Sequence, residues 1–269
     1  MRLTILYNRD IHSNEALNHL LPSLATHDIT LLYSCRVGAN TRRDSRLDSL
    51  AFFEQGFFTN YLFPMVDKAS RIGKCLTFKA LASRYGATDT PVENINSAEG
   101  IALLRSSAPD LILSIRFGQI LKDAAISVSR LGVINLHSGL LPNYRGVMAT
   151  FRAMQASDSE IGLTVHWIDS PAIDQGEIIE TLAIPTDPTA SYLANVHQLY
   201  APGARLLTHC VDRLSQGETL STEAAEGEDA YFSFPNTEDL NAFERQGHRL
   251  FDDADIQNIG SQFLTDPQR

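Results

Sequence analysis

Three polar side chains of this sequence have the types and the spacing to do chemistry: Asn135, His137 and Asp174. Asn135 and His137 flank apolar Leu136 in a predicted β-strand, so both project from the same face. An amide and an imidazole N–H can donate hydrogen bonds to an oxyanion, and a carboxylate such as Asp174 can hold the imidazole charged or accept a proton through water. Asn-x-His alone is a weak signal, because two hydrogen-bonded residues at a strand end give the same pattern.

An α/β sheet is predicted to position these side chains. Short apolar runs rich in β-branched residues alternate with helical patterns, which is typical of a Rossmann-like, mostly parallel twisted sheet with helices on both faces. The predicted strands are Leu3 to Tyr7, Ile29 to Tyr33, Leu111 to Ile115, Val133 to Leu136, Gly162 to Ile168 and Glu177 to Ile184. Ser13 is the predicted N-cap of the first helix. Because such sheets bind ligands at the carboxyl ends of inner strands, Asn135 and His137 lie where a site is expected.

The predicted domain organisation is one catalytic domain, residues 1–216, followed by a short C-terminal extension, residues 217–269. A segment at about 38–75 that is first basic and then aromatic interrupts the α/β pattern. We expect it to form a helical pair that packs its aromatic rings on the sheet, with a lid or a partner surface as the alternative.

The carboxyl-terminal third is predicted to be helical with one small strand. Apolar positions recur at helical spacing from Tyr192 to Leu214, where Pro202 and Gly203 predict a kinked helix or two short ones. After an acidic linker, Tyr231 to Pro235 predicts a strand and Leu240 to Leu250 a helix.

Charge and cysteine usage limit the expected partners. The formal net charge is −10, which opposes attraction to phosphate backbones and anionic membranes, so neither nucleic acid nor a membrane is expected as a partner. The amino terminus turns polar at Asn8 and no long apolar run follows, which predicts a cytoplasmic protein. Cys35, Cys75 and Cys210 are widely spaced and are expected to be reduced, mostly buried thiols, and no metal site is predicted.

A longer motif around the Asn-x-His pair is more specific than the pair alone. Leu140-Leu141-Pro142-Asn143-Tyr144-Arg145-Gly146 lies directly behind it, and Ile173-Asp174-Gln175-Gly176 follows further on. Over about residues 108–186 the chain resembles the formyltransferases that use 10-formyltetrahydrofolate. The resemblance implies that Asn135, His137 and Asp174 are the catalytic trio and that 10-formyltetrahydrofolate is the co-substrate. The chemistry agrees, since moving a formyl group to an amine requires stabilisation of an oxyanion and removal of a proton from the attacking nitrogen.

The same resemblance implies where the folate binds. In the family, backbone groups of one segment bind the pterin and the loop before the catalytic carboxylate closes over it. The residues implied here are Phe117, Gly118, Gln119, Ile120, Leu121, Asp169, Ser170 and Ile173. The loop that precedes Asp174 is one residue longer than is usual in the family.

The acceptor is expected to be a small amine. Glycinamide ribonucleotide formyltransferases carry a glycine-rich phosphate loop after the first strand, whereas residues 8–14 contain no glycine. Transfer-RNA formyltransferases append a basic oligonucleotide-binding barrel, which the acidic tail does not predict, so methionyl-tRNA is the less favoured substrate. A nucleotide-linked amino sugar ranks first, and a hydroxyornithine-type amine of siderophore or antibiotic biosynthesis second.

Several side chains are candidates for binding that acceptor. A guanidinium binds a diphosphate or a carboxylate in a bidentate fork. Arg116 and Arg152 could therefore bind such a group of the acceptor, with an ion pair inside the protein as the alternative. Either His166 or Trp167 is expected to face the acceptor, because the two alternate across a strand. The main acceptor-binding candidates are Arg9, Ser138, Tyr144, Arg145 and His166.

Other functions remain open alternatives. A 10-formyltetrahydrofolate hydrolase would use the same trio on water. A dinucleotide-dependent oxidoreductase would share the fold, but no Gly-x-Gly-x-x-Gly follows the first strand. A catalytically dead binding module is disfavoured by the presence of all three polar side chains. A homodimer through residues 52–63 or 231–251 is a further hypothesis.

Overall fold

A computed structural model of the protein describes residues 1–35, 44–69, 73–223 and 227–264. The strands are β1 (Arg2–Asn8), β2 (Asp28–Ser34), β3 (Thr88–Val92), β4 (Leu111–Ile115), β5 (Val133–His137), β6 (Arg145–Gly146), β7 (Glu160–Trp167), β8 (Ile178–Pro185) and β9 (Tyr231–Phe232). The helices are α1 (Ile11–Ser23), α2 (Ser45–Ala51), α3 (Phe63–Lys68), α4 (Phe78–Arg84), α5 (Ala98–Ser106), α6 (Asp123–Ile126), α7 (Ala149–Ala156), α8 (Tyr192–His197), α9 (Tyr200–Ser215), α10 (Thr237–Arg245) and α11 (Asp253–Ser261). The π-helical turns Phe52–Gly56 and Phe58–Leu62 lie between α2 and α3.

The main sheet has the strand order β3-β2-β1-β4-β5-β7-β8. The first five strands in this order are parallel, and β7 and β8 run antiparallel to their neighbours. The predicted fold class and all six predicted strands are therefore confirmed. The additional strand β3 has the polar sequence Thr-Asp-Thr-Pro-Val, which is tolerated because β3 lies at the edge of the sheet, where a proline removes no essential ladder bond.

Helix α1 begins earlier than the sequence predicts. Its N-cap is Asp10 and not Ser13, since the Asp10 carboxylate accepts the Ser13 backbone N–H at 2.8 Å. Ser13 is already the third helical residue and its side chain is buried. Asp10 caps better in this place because a carboxylate also compensates the positive end of the helix dipole.

A buried ion-pair network joins the carboxyl ends of β1 and β4 to the aromatic insertion. Arg116 follows β4 directly and donates from Nε to Asp10 at 2.9 Å and from one terminal nitrogen to Glu54 at 3.4 Å. Burial disfavours the charge on Arg116, but Asp10 and Glu54 outweigh it and raise the pKa of the guanidinium. Arg116 is therefore paired inside the protein, which is the alternative to binding a diphosphate or a carboxylate of the acceptor.

The helical segment after β8 forms two helices, α8 and α9, as one of the two alternatives predicts. The interruption lies at Gln198–Leu199 and not at Pro202. Pro202 falls in the first turn of α9, where its missing N–H has no helical partner to lose.

The insertion is helical from Ser45 to Lys68. Phe58 and Phe63 are buried, so the expected inward packing of aromatic rings is found. Part of that packing is against the C-terminal extension and not the sheet, because Phe63 lies 4.8 Å from the Phe263 ring centroid. Phe52 and Tyr61 remain exposed. The arginines at 42 and 43 lie outside the described residues.

The C-terminal extension folds back on the rest of the chain. Its strand β9 is shorter than predicted and pairs with β6, while helix α10 starts earlier than predicted, at an Asn236 capping box. Helix α10 ends at Arg245, and Gly247 then takes a positive φ of 86°. The second helix, α11, was not predicted.

The expectations about membrane association and about the cysteines can be compared with the described part of the chain. None of its helices is long and apolar enough to cross a membrane. Cys75 and Cys210 are buried and Cys35 is exposed, and all three are free thiols.

The network predicts that Asp10 contributes more to stability than an ordinary helix cap. In Asp10→Ala, helix α1 loses its cap, and Arg116, whose side chain is only 19% exposed, loses its nearest carboxylate. We therefore expect the free energy of unfolding to fall by about 3–5 kcal/mol. Asn236→Ala, at the exposed cap of α10, is the matched control and should cost about 1 kcal/mol. Urea denaturation measures both, and equal losses would contradict the assigned role of the Asp10–Arg116 pair.

Candidate active site

Strands β5 and β7 position the central side chains of the site. Their antiparallel register places Asn135 opposite His166 and His137 opposite Thr164. Directly opposed residues have Cβ atoms roughly 5 Å apart on the same face of the sheet. His166 therefore lies on the same face of the sheet as Asn135, while Trp167 points to the other face. Of these two residues, His166 is the one on the side of the candidate site.

The Asn135 amide is oriented by His166. The Asn135 Nδ2 atom lies 3.0 Å from His166 Nε2, and His166 Nδ1 lies 2.8 Å from the Trp167 carbonyl. Because a carbonyl only accepts, neutral His166 carries its hydrogen on Nδ1 and accepts the Asn135 N–H at Nε2. The Asn135 amide has a second N–H, which gives the site a fixed hydrogen-bond donor.

The His137 ring is held on both nitrogens. Its Nε2–H donates to the Tyr144 carbonyl at 2.7 Å, and its Nδ1 lies 3.6 Å from Asp174 Oδ2. The ring is buried, with 8% of its surface exposed. Neutral His137 thus presents a free Nδ1 lone pair toward Asp174, and a proton taken up there would be stabilised by the carboxylate.

Asp174 supplies a negative charge between the two imidazoles. Its Oδ2 accepts the Gly146 N–H at 2.8 Å, and its Oδ1 lies 3.5 Å from His166 Nε2. Burial opposes ionisation, but attraction to the imidazoles of His137 and His166 and the hydrogen bond from the Gly146 N–H outweigh it and lower the pKa of Asp174 to about 2. Asp174 is therefore a carboxylate at neutral pH.

The loop that carries Asp174 passes very close to the end of β7. Asp174 has a positive φ of 52°, and a Cβ placed on Gly176 would lie 1.8 Å from the Trp167 carbonyl oxygen. Only glycine permits that approach, so Gly176 allows the loop to bring Asp174 over His166.

The turn after His137 is fixed by polar side chains from neighbouring elements. Thr164 Oγ1 donates to the Gly139 carbonyl at 2.7 Å and accepts the Leu141 N–H at 3.1 Å. The Ser138 carbonyl accepts from Thr150 Oγ1 at 3.3 Å. These bonds hold the turn between β5 and Tyr144, and the Tyr144 carbonyl accepts the His137 Nε2–H.

The segment predicted to bind the pterin lies at the carboxyl end of β4. The Gln119 side chain accepts the Ile95 N–H at 2.8 Å and donates to Ser34 Oγ at 3.0 Å, so this side chain holds neighbouring loops together. Gly118 N–H donates to Asn8 Oδ1 at 3.0 Å. Leu121 is buried, Phe117 is half-buried and Ile120 is exposed.

The second set of predicted pterin-binding residues lies in the loop between β7 and β8. Asp169 is exposed, and Ser170 and Ile173 are half-buried. They therefore border Asp174 along the surface of the same loop.

Several predicted acceptor-binding side chains have partners within the protein. Tyr144 Oη donates to Asp158 at 2.5 Å, and Arg145 donates to Asp229 at 2.5 Å. Tyr144 contributes its carbonyl to the site, which the sequence did not indicate. Arg152 donates to Asp239 in α10 at 3.0 Å, so it fastens the C-terminal extension.

Arg9 lies away from the trio, in a cleft at the carboxyl ends of β1 and β2. Its guanidinium is 3.9 Å from the Tyr33 ring centroid and donates to Asp89 at 2.5 Å, with 40% of the side chain exposed. The cleft has a volume of about 460 Å³. Its walls include Arg9, Tyr33, Phe52, Gln55, Thr59 and Asn60.

Within the described ranges, no group of three or more His, Cys, Asp or Glu side chains is arranged to hold a metal ion.

The chain is similar to known formyltransferases. Residues 78–205 match the formyl transferase family model. A methionyl-tRNA formyltransferase of Aromatoleum aromaticum is 31% identical over 182 residues, which cover 66% of this chain and 57% of that protein. The chain spans about half the length of the curated methionyl-tRNA formyltransferases that it matches.

Two solved structures share the fold. A sugar 3N-formyl transferase solved with dTDP and 5-N-formyl-THF has a TM-score of 0.58 at 16% identity and covers 87% of this chain and 70% of its own. A phosphoribosylglycinamide formyltransferase from Anaplasma phagocytophilum has a TM-score of 0.59 at 18% identity and covers 86% of this chain and 98% of its own.

The lowered pKa of Asp174 predicts a pH-dependent contribution to stability. A carboxylate with a lowered pKa stabilises the folded state above its unfolded pKa of 3.8 and loses that contribution as the pH falls through about 2. Urea denaturation of the wild type and of Asp174→Asn should therefore show a stability difference that falls by about 2 kcal/mol between pH 5 and pH 2. Asp169→Asn, on the exposed part of the same loop, is the control; a pH-independent difference for Asp174→Asn would contradict the assigned charge.

Proposed function

We propose, because residues 78–205 match the formyl transferase family model, that this protein transfers a formyl group from 10-formyltetrahydrofolate to the amine of a small acceptor. The observation that carries the proposal is the ionised carboxylate of Asp174, held against His137 and His166 beside the Asn135 amide. An amide donor, a fixed negative charge and an imidazole that can take up a proton are the groups that acyl transfer to an amine requires.

The residues present fit a formyl donor and an amine. When bound, 10-formyltetrahydrofolate supplies the formyl carbon; the new C–N bond forms to the amine, the bond to the folate nitrogen breaks, and one proton moves from the amine to that nitrogen. The second Asn135 N–H donates to the formyl oxygen as negative charge develops there. Asp174 stabilises a proton on His137 Nδ1, which places a positive charge near the same oxygen and holds the proton in transit.

A nucleotide-linked amino sugar is the acceptor we favour. The cleft beside Arg9 offers two aromatic rings, Tyr33 and Phe52, and the side-chain amides of Gln55 and Asn60, which suit a planar base with polar edges. Strands β2 and β5 are three places apart in the sheet, a separation of roughly 14 Å at the usual strand spacing. An extended sugar nucleotide can span from the cleft to His137, whereas a hydroxyornithine-type amine is shorter.

The direct test is release of tetrahydrofolate from 10-formyltetrahydrofolate, first without amine and then with nucleotide-linked amino sugars, amino acids and hydroxyornithine. We expect turnover only with one acceptor class, and the sugar nucleotides to be that class. Turnover without amine would replace the proposal by the hydrolase alternative. No turnover with any amine in the panel would overturn the small-acceptor proposal.

In the tetrahydrofolate-release assay with the accepted amine, Asn135→Ala should lower kcat by about 10²–10³-fold, which is the usual effect of losing a hydrogen-bond donor to an oxyanion. Asp174→Ala should abolish turnover while the protein stays folded, because His137 then lacks the charge that stabilises its proton. Glu99→Gln, on the exposed surface of α5, is the control and should leave kcat unchanged. Near-normal turnover of Asp174→Ala would contradict the catalytic assignment.

The sequence relatives favour a second candidate, methionyl-tRNA, because the curated proteins that match carry that name. Formylation of aminoacylated initiator tRNA, assayed beside the amine panel at two salt concentrations, separates the two. If methionyl-tRNA is the substrate, we expect formyl-methionyl-tRNA to form at low enzyme concentration and the affinity for tRNA to fall strongly as the salt concentration rises. A small acceptor predicts no such product.

The cleft assignment predicts a selective effect on the acceptor. Phe52→Ala removes a ring from the cleft wall, so KM for the accepted amine should rise about tenfold while KM for the folate stays within twofold. Tyr61→Ala is the matched control, since Tyr61 lies on the same helical insertion, is also exposed and is not part of the cleft wall. Equal effects of the two substitutions on the amine KM would exclude the cleft as the acceptor site.

A further inference from the structure

We infer that the C-terminal extension completes the active site, because its strand β9 positions the loop that orients His137 and Asp174. The inference rests on the proposed function of that site. The extension lies outside the segment 78–205 that matches the formyl transferase family model.

Backbone hydrogen bonds tie β9 to the loop that contains β6. Arg145 N–H donates to the Ala230 carbonyl at 2.9 Å, and Val147 N–H donates to the Phe232 carbonyl at 3.0 Å. Ala230 N–H donates to the Pro142 carbonyl at 3.2 Å. The loop from 142 to 147 is therefore held along its length by three bonds to residues 230–232.

The other edge of the same loop faces the catalytic side chains. Backbone groups alternate in direction along an extended segment, so the N–H groups of Arg145 and Val147 point to β9 while that of Gly146 points away. The Gly146 N–H is the donor to Asp174 at 2.8 Å, and the Tyr144 carbonyl is the acceptor for His137 at 2.7 Å. One extended segment thus connects the extension directly to both catalytic groups.

The pairing is close enough to require glycine. Gly146 has a φ of 95°, and a Cβ at this position would lie 2.1 Å from the Phe232 carbonyl oxygen. A side chain at 146 would push β9 away or turn the Gly146 N–H from Asp174.

Side chains strengthen the same contact. The Phe232 ring stacks on the Tyr144 ring with centroids 6.0 Å apart, and Arg145 pairs with Asp229. Further along, α10 anchors the extension, since Phe243 stacks on Phe151 at 4.3 Å. Asp229, Ala230 and Phe232 are accordingly positioning residues that act through Tyr144 and Gly146.

Phe232→Ala tests the inference kinetically. Losing the ring on Tyr144 should lower kcat about tenfold or more and leave KM for the folate within twofold. Because the Gly146 N–H lowers the pKa of Asp174, loosening the loop should also move the acid limb of the kcat–pH profile to higher pH. Asp229→Ala, at a side chain that is 66% exposed, should show the same changes on a smaller scale without a risk to folding.

The matched control is Leu104→Val, a buried substitution in α5 that lowers the melting temperature without touching the extension. If Phe232→Ala and Leu104→Val lose activity in proportion to their melting temperatures, with unchanged pH profiles, the extension is a structural element only and the inference is wrong.

Imidazole ¹⁵N NMR supplies a readout that does not depend on activity. The His137 signals are assigned by their absence in His137→Gln. We expect the Nε2–H tautomer, with a proton slow to exchange, in the wild type and in Leu104→Val, and a mixed tautomer with rapid exchange in Phe232→Ala. An unchanged His137 tautomer in Phe232→Ala would overturn the inference even if formyl transfer is confirmed, whereas a changed tautomer in a protein without transferase activity would count only against the proposed function.

Discussion

The site depends on one buried negative charge, that of Asp174. A carboxylate taken out of water must be compensated, and Asp174 accepts one backbone N–H and lies beside two imidazoles that can take up a proton. Each compensating group imposes a requirement on the fold. His137 and His166 require β5 and β7 to be antiparallel neighbours, and the Gly146 N–H requires the loop around β6 to run past the end of the sheet.

A second buried charge cluster shows why similar residues take different roles. Asp10, Glu54 and Arg116 satisfy one another, and burial together with the Arg116 charge lowers the pKa of the adjacent His12 to about 3. His12 is therefore neutral, and the cluster ties β1, β4 and the insertion together without a group directed at a ligand. In the Asp174 cluster, by contrast, the Asn135 amide keeps an N–H to offer and His137 can still take up a proton.

The local patterns of the sequence predicted the six core strands and the shared face of Asn135 and His137, because period-2 alternation is a property of single segments. The partners of those residues depend on pairings between distant segments, which no local pattern reports. The 135–166 register, the capture of the Gly146 N–H by Asp174 and the β6–β9 pair are of this kind. The ion pair of Arg116 escaped sequence reasoning for the same reason, since its partner Asp10 lies 106 positions away in the chain.

The trio and the proposed acceptor cleft lie at different strand ends, and the charges around each place limit what it can bind. The trio lies on β5 and the following loops, whereas the cleft with Arg9 lies three places away at β2, next to the helical insertion. A net charge of −10 acts against a polyanion that meets a large surface, because every nearby phosphate is repelled. A nucleoside diphosphate brings only two phosphates into a local environment, and beyond a Debye length of about 8 Å the remaining charges are largely screened. In the proposed acceptor site, the side chains within that distance of the cleft therefore matter most, and there Arg9 offers a guanidinium while Tyr33 and Phe52 offer aromatic rings.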